Sequence, residues 1–296
     1  MKLEKEFMVI NSFSGENLTG NPAAVFFDPS GLDNQALQNI AKQINLVETV
    51  FVYPSDNADF LFRYFTPHKE VSLAGHPTIA ACIALVNAKK IDPYKQNTYQ
   101  IETQNGLREV VIEIIKNQVL VKMKQSSPKF ISPLISKHII ANTLGIHEAD
   151  ISSNLSIQTI DLGVKYLVIA VNSLKALMSV KRDVQLLQEL CENLGVREVQ
   201  VFTFETYGED FDFHTRNLCP REGIEDPACG MGNASVGAYL AQNYYKDQEF
   251  IHLRAEQGTI VNMPCLIELF LSKKEGSIEL YIGGTGKKVV EGKFFI

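Results

Sequence analysis

Between Glu225 and Leu240 the chain reads EDPACGMGNASVGAYL, an acid pair, a proline, a cysteine and two glycines ahead of an amphipathic run. A helix that starts here offers free N–H groups and a partial positive charge, which suits a carboxylate or phosphate. Gly230 and Gly232, on either side of Met231, stand where backbone has to come close to something. Cys229 opens the helix, where the local field lowers a thiol's pKa and favours thiolate. A buried, inert cysteine is the plainer alternative, and Cys82, Cys191, Cys219 and Cys265 take that reading. Asp226 precedes a proline, a place where an acid is often only a turn former. A second loop, AGHPT (Ala74 to Thr78), has the same character: Gly75, an ionisable His76, and Pro77 suited to a first helical turn. The remaining histidines, His68, His138, His147, His214 and His252, show no metal-ligand spacing.

The two loops are related by an internal duplication. Asp59-Phe60, Arg63 and Pro67 match Asp212-Phe213, Arg216 and Pro220, all at an offset of 153. After a two-residue insertion, Ala74, Gly75 and His76 fall on Cys229, Gly230 and Met231. Further on, IETQNG from Ile101 falls on LRAEQG from Leu253 at an offset of 152. The constant order marks a repeated unit of about 150 residues, not a short-period solenoid.

Each unit carries the same predicted elements. Strand patterns at Thr49–Tyr53 and Asp59–Phe65 correspond to Val199–Phe204 and Asp210–Leu218. A loop and then a helical run follow each pair, with Ile79, Ile83 and Val86 in the first and Val236, Tyr239 and Leu240 in the second. Glu109–Ile115 and Val119–Met123 read as more strands, and Asn34–Ile44 and Val184–Leu194 as further helices in matching places. Many strands with few helices predict an α+β architecture, a sheet wrapped around a helix and present twice. A doubly wound parallel sheet needs strict strand–helix alternation, which is absent. Pseudo-symmetry is expected to turn the two helix starts toward a common cleft.

Composition narrows the partners. The chain has 296 residues, 45% of them apolar, and a net charge of −6 with both signs interspersed. That argues against a nucleic-acid surface, and no basic cluster suggests a membrane surface. The longest nearly apolar run, Ile79 to Val86, is too short to span a bilayer, and the N-terminus does not read as a signal peptide. Five cysteines without a CxxC pair predict free thiols and a cytoplasmic protein, with no zinc site. GGTGKK (Gly283 to Lys288) is not a P-loop, because Tyr281 replaces its first glycine and no Ser or Thr follows Lys287.

TGNPAAVFF (Thr19 to Phe27), ETVFV (Glu48 to Val52), FTPHKEVSLAGHPT (Phe65 to Thr78) and EDPACGMGNA (Glu225 to Ala234) together resemble the phenazine-biosynthesis PhzF-like family, in order and across the chain. The resemblance implies a diaminopimelate epimerase-like fold of two similar halves with the active site in the cleft between them. The halves are expected at residues 1–123, joined by the last strand (about 284–296), and 124–283. The resemblance makes Glu48 a general acid/base that shifts a proton on a small carboxylate-bearing substrate without metal or cofactor. It implies that His76 and Asp226 bind or help protonate the substrate. Asn21 and the Gly75 and Gly230 backbones belong to the implied pocket, which Cys229, Met231 and Gly232 line.

The chemistry is self-consistent. Taking a proton from beside a carboxylate leaves an enolate-like charge that needs donors aimed at it, and two helix starts can supply them. Glu48 lies in a run (Leu46, Val47, Val50, Phe51, Val52) apolar enough to raise a carboxyl pKa. Diaminopimelate epimerase-like enzymes oppose two cysteines, but here Ala74 replaces the first, which excludes a two-thiol racemase. Many family members carry Thr or Ser at the positions of Cys229 and Met231. An epimerase or racemase using Glu48 and Cys229 is the alternative in the same class. A binding protein without turnover is the alternative outside it. The substrate and the oligomeric state are not written in the residues, and a homodimer stays open.

Overall fold

A computed structural model describes residues 4–14, 19–220, 225–274 and 276–296. The chain divides into two compact units, Met1–Lys124 with Gly283–Ile296, and Gln125–Ile282. The first unit opens with strands β1 (Glu4–Ser12) and β2 (Asn21–Phe26), helix α1 (Asn34–Ile44), and strands β3 (Glu48–Tyr53), β4 (Phe60–Phe65) and β5 (Glu70–Val71). Helix α2 (Gly75–Asn87) and strands β6 (Thr98–Thr103), β7 (Gly106–Ile115) and β8 (Gln118–Lys124) follow. The second unit begins with β9 (Lys129–Ile131), α3 (Lys137–Leu144), β10 (Gln158–Asp161), β11 (Lys165–Ala170), α4 (Leu174–Ser179) and α5 (Val184–Leu194). It continues through β12 (Glu198–Thr203), β13 (Phe213–Leu218), α6 (Gly230–Asn243), β14 (Phe250–Gln257), β15 (Cys265–Lys274) and β16 (Ser277–Gly284). The final strand, β17 (Gly286–Phe295), pairs antiparallel with β1 of the first unit.

In the first unit the strands run β17-β1-β2-β3-β4-β6-β7-β8, with β2–β3 and β4–β6 parallel and the rest antiparallel. Helix α2 packs against β1, β2, β3, β8 and β17, so the sheet wraps around it. Its residues from His76 to Leu85 are all buried, which is why the segment is apolar on every side. Helix α1 covers the other face, setting Leu37, Ile40 and Ala41 on Phe26, Phe51 and Phe65. The Asp33 side chain accepts the Ala36 N–H at its start, and Asn45 ends it in the left-handed conformation.

The second unit repeats the plan. Strands β9 to β15 pair in chain order, with β11–β12 and β13–β14 parallel and the others antiparallel. Helix α6 packs against β10, β11, β12, β14 and β15. Helices α3, α4 and α5 cover the outer face, where Ile140, Leu177, Leu187 and Leu190 meet Leu167, Ile169, Val199 and Val201.

The repeated Asp-Phe pair has a structural cause. Asp59 exchanges hydrogen bonds with the backbone of Gln100 on β6, and Asp212 does the same with Arg254 on β14. Each aspartate thus locks the parallel strand beside its own. Because Asp212 does this from the turn, β13 begins at Phe213, three residues later than the sequence pattern predicts.

Candidate active site

In the first unit the starts of β2, β3 and α2 bring three predicted residues together. His76 is the second residue of α2 and is buried. Its Nδ1 lies 3.2 Å from Asn21 Nδ2, and its Nε2 lies 3.3 Å from Glu48 Oε2. The Ser12 hydroxyl donates to the His76 carbonyl at 2.9 Å. Thr78 Oγ1 lies 2.7 Å from the Tyr64 hydroxyl and donates to the Ala74 carbonyl. Gly20 is necessary in the hairpin: at φ 109° a Cβ would sit 2.6 Å from the Ser12 carbonyl oxygen. The position just before Asn21 therefore has to be glycine.

Burial pushes the His76 pKa down to about 3, and the Pro22 carbonyl, which favours the charged ring, does not offset it. The Glu48–His76 contact is accordingly made by a neutral imidazole, not an ion pair. A neutral ring carries one N–H and one lone pair, so it can pass a proton to or from the carboxyl group facing it. Glu48 is mostly covered, its side chain 16% exposed. Ala74, the N-cap of α2, makes no side-chain hydrogen bond to the helix, and no acidic residue occupies the first turn.

In the second unit Gly230, Met231 and Gly232 form the first turn of α6, with Cys229 as N-cap. The cysteine departs from expectation. Its Sγ accepts the Gly232 N–H at 3.3 Å, as a serine cap would. Far from favouring thiolate, the site raises the Cys229 pKa well above its ordinary value. Burial is the main cause, and the Glu198 and Asp226 charges add to it; the amide at the helix start opposes them and loses. Asp226 Oδ1 accepts the Ala228 N–H at 2.9 Å, so this acid makes the Asx turn its place before Pro227 suggests. Gly232 serves packing, since a Cβ there would meet Gln200 Oε1 at 2.1 Å.

Sequence reasoning missed the polar cluster beneath Cys229. Glu198, Gln200 and Asn217 are buried on β12 and β13, with Tyr166 beside them on β11. Asn217 Nδ2 donates to both Glu198 Oε2 and Gln200 Oε1, and Gln200 donates to Thr215. The signal was present: Glu198 begins its strand as Glu48 begins β3. The other four cysteines are buried thiols outside any disulfide. Among the described residues no cluster of His, Cys, Asp and Glu is arranged to hold a metal ion, and no helix is long and apolar enough to cross a membrane.

The solved structure of a Bacillus anthracis PhzF-family phenazine biosynthesis protein matches 99% of this chain and all of its own, with TM-score 0.91 and 27% identity. A hydroxyproline epimerase from Agrobacterium vitis matches at TM-score 0.68 over 99% of this chain and 91% of its own; at 14% identity it speaks for the fold alone. These likenesses and the paired helix-in-sheet units define the fold, a diaminopimelate epimerase-like α+β architecture. Antisense-enhancing sequence 1 of Schizosaccharomyces pombe is 34% identical across 99% of both chains. The uncharacterized isomerase YfhB of Bacillus subtilis is 30% identical over 95% of this chain and 96% of its own. The chain belongs to the phenazine biosynthesis-like (PhzC-PhzF) family, whose model matches residues 10–292.

Proposed function

We propose that this member is a cofactor-independent isomerase that moves a proton on a small carboxylate-bearing metabolite, with Glu48 as general acid/base. The observation that carries the reading is the Glu48 carboxyl group 3.3 Å from a buried, neutral His76 at a helix start without a side-chain cap. Glu48 breaks a C–H bond next to the substrate's carboxylate, and the electron pair moves into the conjugated carboxylate as an enolate-like charge. Amides at the helix start, led by Gly75, stabilise that charge as it forms. The same carboxyl group then returns the proton to another carbon on the same face. His76, oriented by Asn21, shares that proton with Glu48.

Deuterium incorporation from heavy water into a panel of unsaturated hydroxy and amino acids tests this. Glu48→Gln keeps the shape and removes the base, so exchange into the accepted substrate falls by roughly 10²- to 10⁴-fold. Exchange at the wild-type rate would take Glu48 out of the mechanism. The epimerase alternative needs Cys229 as a base on the opposite face. The Cys229 cap geometry and raised pKa weigh against it. Cys229→Ser is therefore expected to keep exchange within a few-fold of wild type, whereas a loss as deep as that of Glu48→Gln would favour the epimerase.

A further inference from the structure

Two hydroxyls stand in line behind the start of α2. Tyr64 lies on β4 opposite Val50 of β3, and alternate strand residues share a face, so Tyr64 stands on the same face as Glu48. Its hydroxyl lies 2.7 Å from Thr78 Oγ1, which donates to the Ala74 carbonyl oxygen, also at 2.7 Å. A threonine hydroxyl has a single proton. Thr78 gives that proton to Ala74, so Tyr64 is the donor in the other bond. The chain therefore runs from Tyr64 through Thr78 and ends on the N-cap peptide of α2. Both side chains are fully buried. Burial raises the Tyr64 pKa, which keeps its hydroxyl protonated and donating.

The second unit makes the same link with a different side chain. Thr78 is the fourth residue of α2, and Asn233 is the fourth residue of α6. Asn233 Nδ2 donates to the carbonyl of Cys229, the N-cap of α6, at 2.9 Å. It also donates to Gln257 Oε1 at 2.6 Å. A hydroxyl that bonds back to the carbonyl four residues earlier is ordinary in a helix. These two links differ from that in a shared feature: each bonding side chain is itself held by a strand residue, Tyr64 on β4 and Gln257 on β14. A chance back-bond has no reason to acquire such a second partner in both units.

The Ala74 carbonyl and the Gly75 N–H belong to one planar peptide and point in opposite directions. A hydrogen bond accepted at the oxygen fixes that plane and draws electron density from the nitrogen, so the N–H becomes a stronger donor. Pro77 brings no N–H, which leaves Gly75 and His76 as the first two amides of the helix. Beside them the His76 ring is 6% exposed. Its Nε2 makes no hydrogen bond among the described residues and stands 3.3 Å from Glu48 Oε2. We infer that Tyr64 and Thr78 are positioning residues for the proton transfer at Glu48: through the Ala74 carbonyl they hold the Gly75 N–H in one orientation and strengthen it as a donor to the charge that forms on the substrate. This rests on the reading of Gly75 as a donor to the enolate-like charge.

Two measurements test it. The first reads the peptide itself by nuclear magnetic resonance of the protein without substrate. Thr78→Val keeps the shape and removes the hydroxyl, so the Ala74 carbonyl-carbon and Gly75 amide resonances move upfield; Thr78→Ser leaves them in place. Tyr64→Phe, which spares the Thr78–Ala74 bond, moves them the same way by less. Unmoved resonances in Thr78→Val overturn the inference. The second measures deuterium exchange into whichever member of the hydroxy- and amino-acid panel wild type exchanges fastest. Losing an oxyanion donor outright costs about 10²–10³-fold; weakening one costs about three- to tenfold in Thr78→Val and about twofold in Tyr64→Phe. The loss falls on the saturated rate, the half-saturating concentration stays within about twofold, and Thr78→Ser restores the rate. A loss that Thr78→Ser does not rescue, or one that lies in the half-saturating concentration, marks a merely structural role and overturns the inference. Should wild type exchange nothing in the panel, or Glu48→Gln match it, the Glu48 reading fails and takes the inference with it. Should Glu48→Gln lose exchange while Thr78→Val and Tyr64→Phe keep it, the role of the two hydroxyls alone is refuted. If Thr78→Val does not fold, Tyr64→Phe decides, and wild-type resonances or a wild-type rate in that variant overturn the inference.

Discussion

His76 and Cys229 occupy nearly corresponding positions at two helix starts, and burial keeps both uncharged, the first as an imidazole and the second as a thiol. For His76 this has a thermodynamic consequence. An unfolded histidine takes up a proton as pH falls through about 6.5, while the native one resists until about 3. Between those values the unfolded state binds more protons, so His76 contributes stability that is complete above pH 6.5 and is lost on acidification. The slope is roughly 1 kcal/mol per pH unit. Urea unfolding at pH 7 and pH 5 is expected to show a smaller acid loss in His76→Gln than in wild type. Equal losses would mean that His76 is charged in the native protein. In the same range the Cε1–H resonance of His76 stays flat, so a histidine-like limb in a pH–rate profile belongs to another group.

At the scale of elements, each unit carries an arginine–glutamate pair at matching places. Arg63 on β4 holds Glu70 on β5 with Nε and Nη2, at 2.7 and 2.8 Å. Arg216 on β13 holds Glu225 in the same bidentate way, at 2.9 and 2.8 Å. The second pair does more. Arg216 Nη1 also donates to the carbonyls of Leu177 and Val180 at the end of α4, and both partners are buried. It therefore fixes the loop that leads through Asp226 to α6. Arg216→Met strands a buried carboxylate and is expected to cost about 3–5 kcal/mol in chemical denaturation. Arg63→Met, whose pair is about one-fifth exposed, costs about 1 kcal/mol. Because a buried pair is weak net stabilisation, Arg216→Met with Glu225→Leu recovers much of the loss. A double variant no better than Arg216→Met alone would show that the carbonyl contacts to α4, not the charge pair, carry the effect.

For the whole molecule the decisive connection is the return of β17 to β1. The register runs from Glu4 opposite Phe295 to Ser12 opposite Gly286, with a bulge between Val9 and Ile10. Phe294 packs on the cluster under α1, edge-on to Phe26. β1 also carries Ser12, which holds the His76 carbonyl, so the last strand supports the hairpin that orients the candidate base and its partner. Truncation after Gly284 is expected to release the β1 amides that face β17 in hydrogen exchange and to lower turnover. The paired amides of β12 and β13 are the internal reference. Undiminished protection of β1 would show that pairing with β2 suffices.

Much of this was legible from local pattern. The helices at Asn34–Ile44 and Val184–Leu194 have the bounds read from their apolar period, because Asp33 and Asp183 cap them and the cap and period are written within a few residues. The Gly75 and Gly230 helix starts and the α+β class were legible for the same reason, strengthened by the duplication. The charge on Cys229 was not. From sequence it stands at a helix N-terminus, which favours thiolate; in the folded unit it is sealed over Glu198 and Tyr166, 31 and 63 residues away. The approach of Glu48 to His76, from β3 to the start of α2, could be reached only through family resemblance, since nothing local in either motif points to the other. Helix and strand propensities belong to neighbouring residues, and a sequence states them. A pKa depends on desolvation and on charges brought in by other strands, and those exist only once the sheet has closed around its helix.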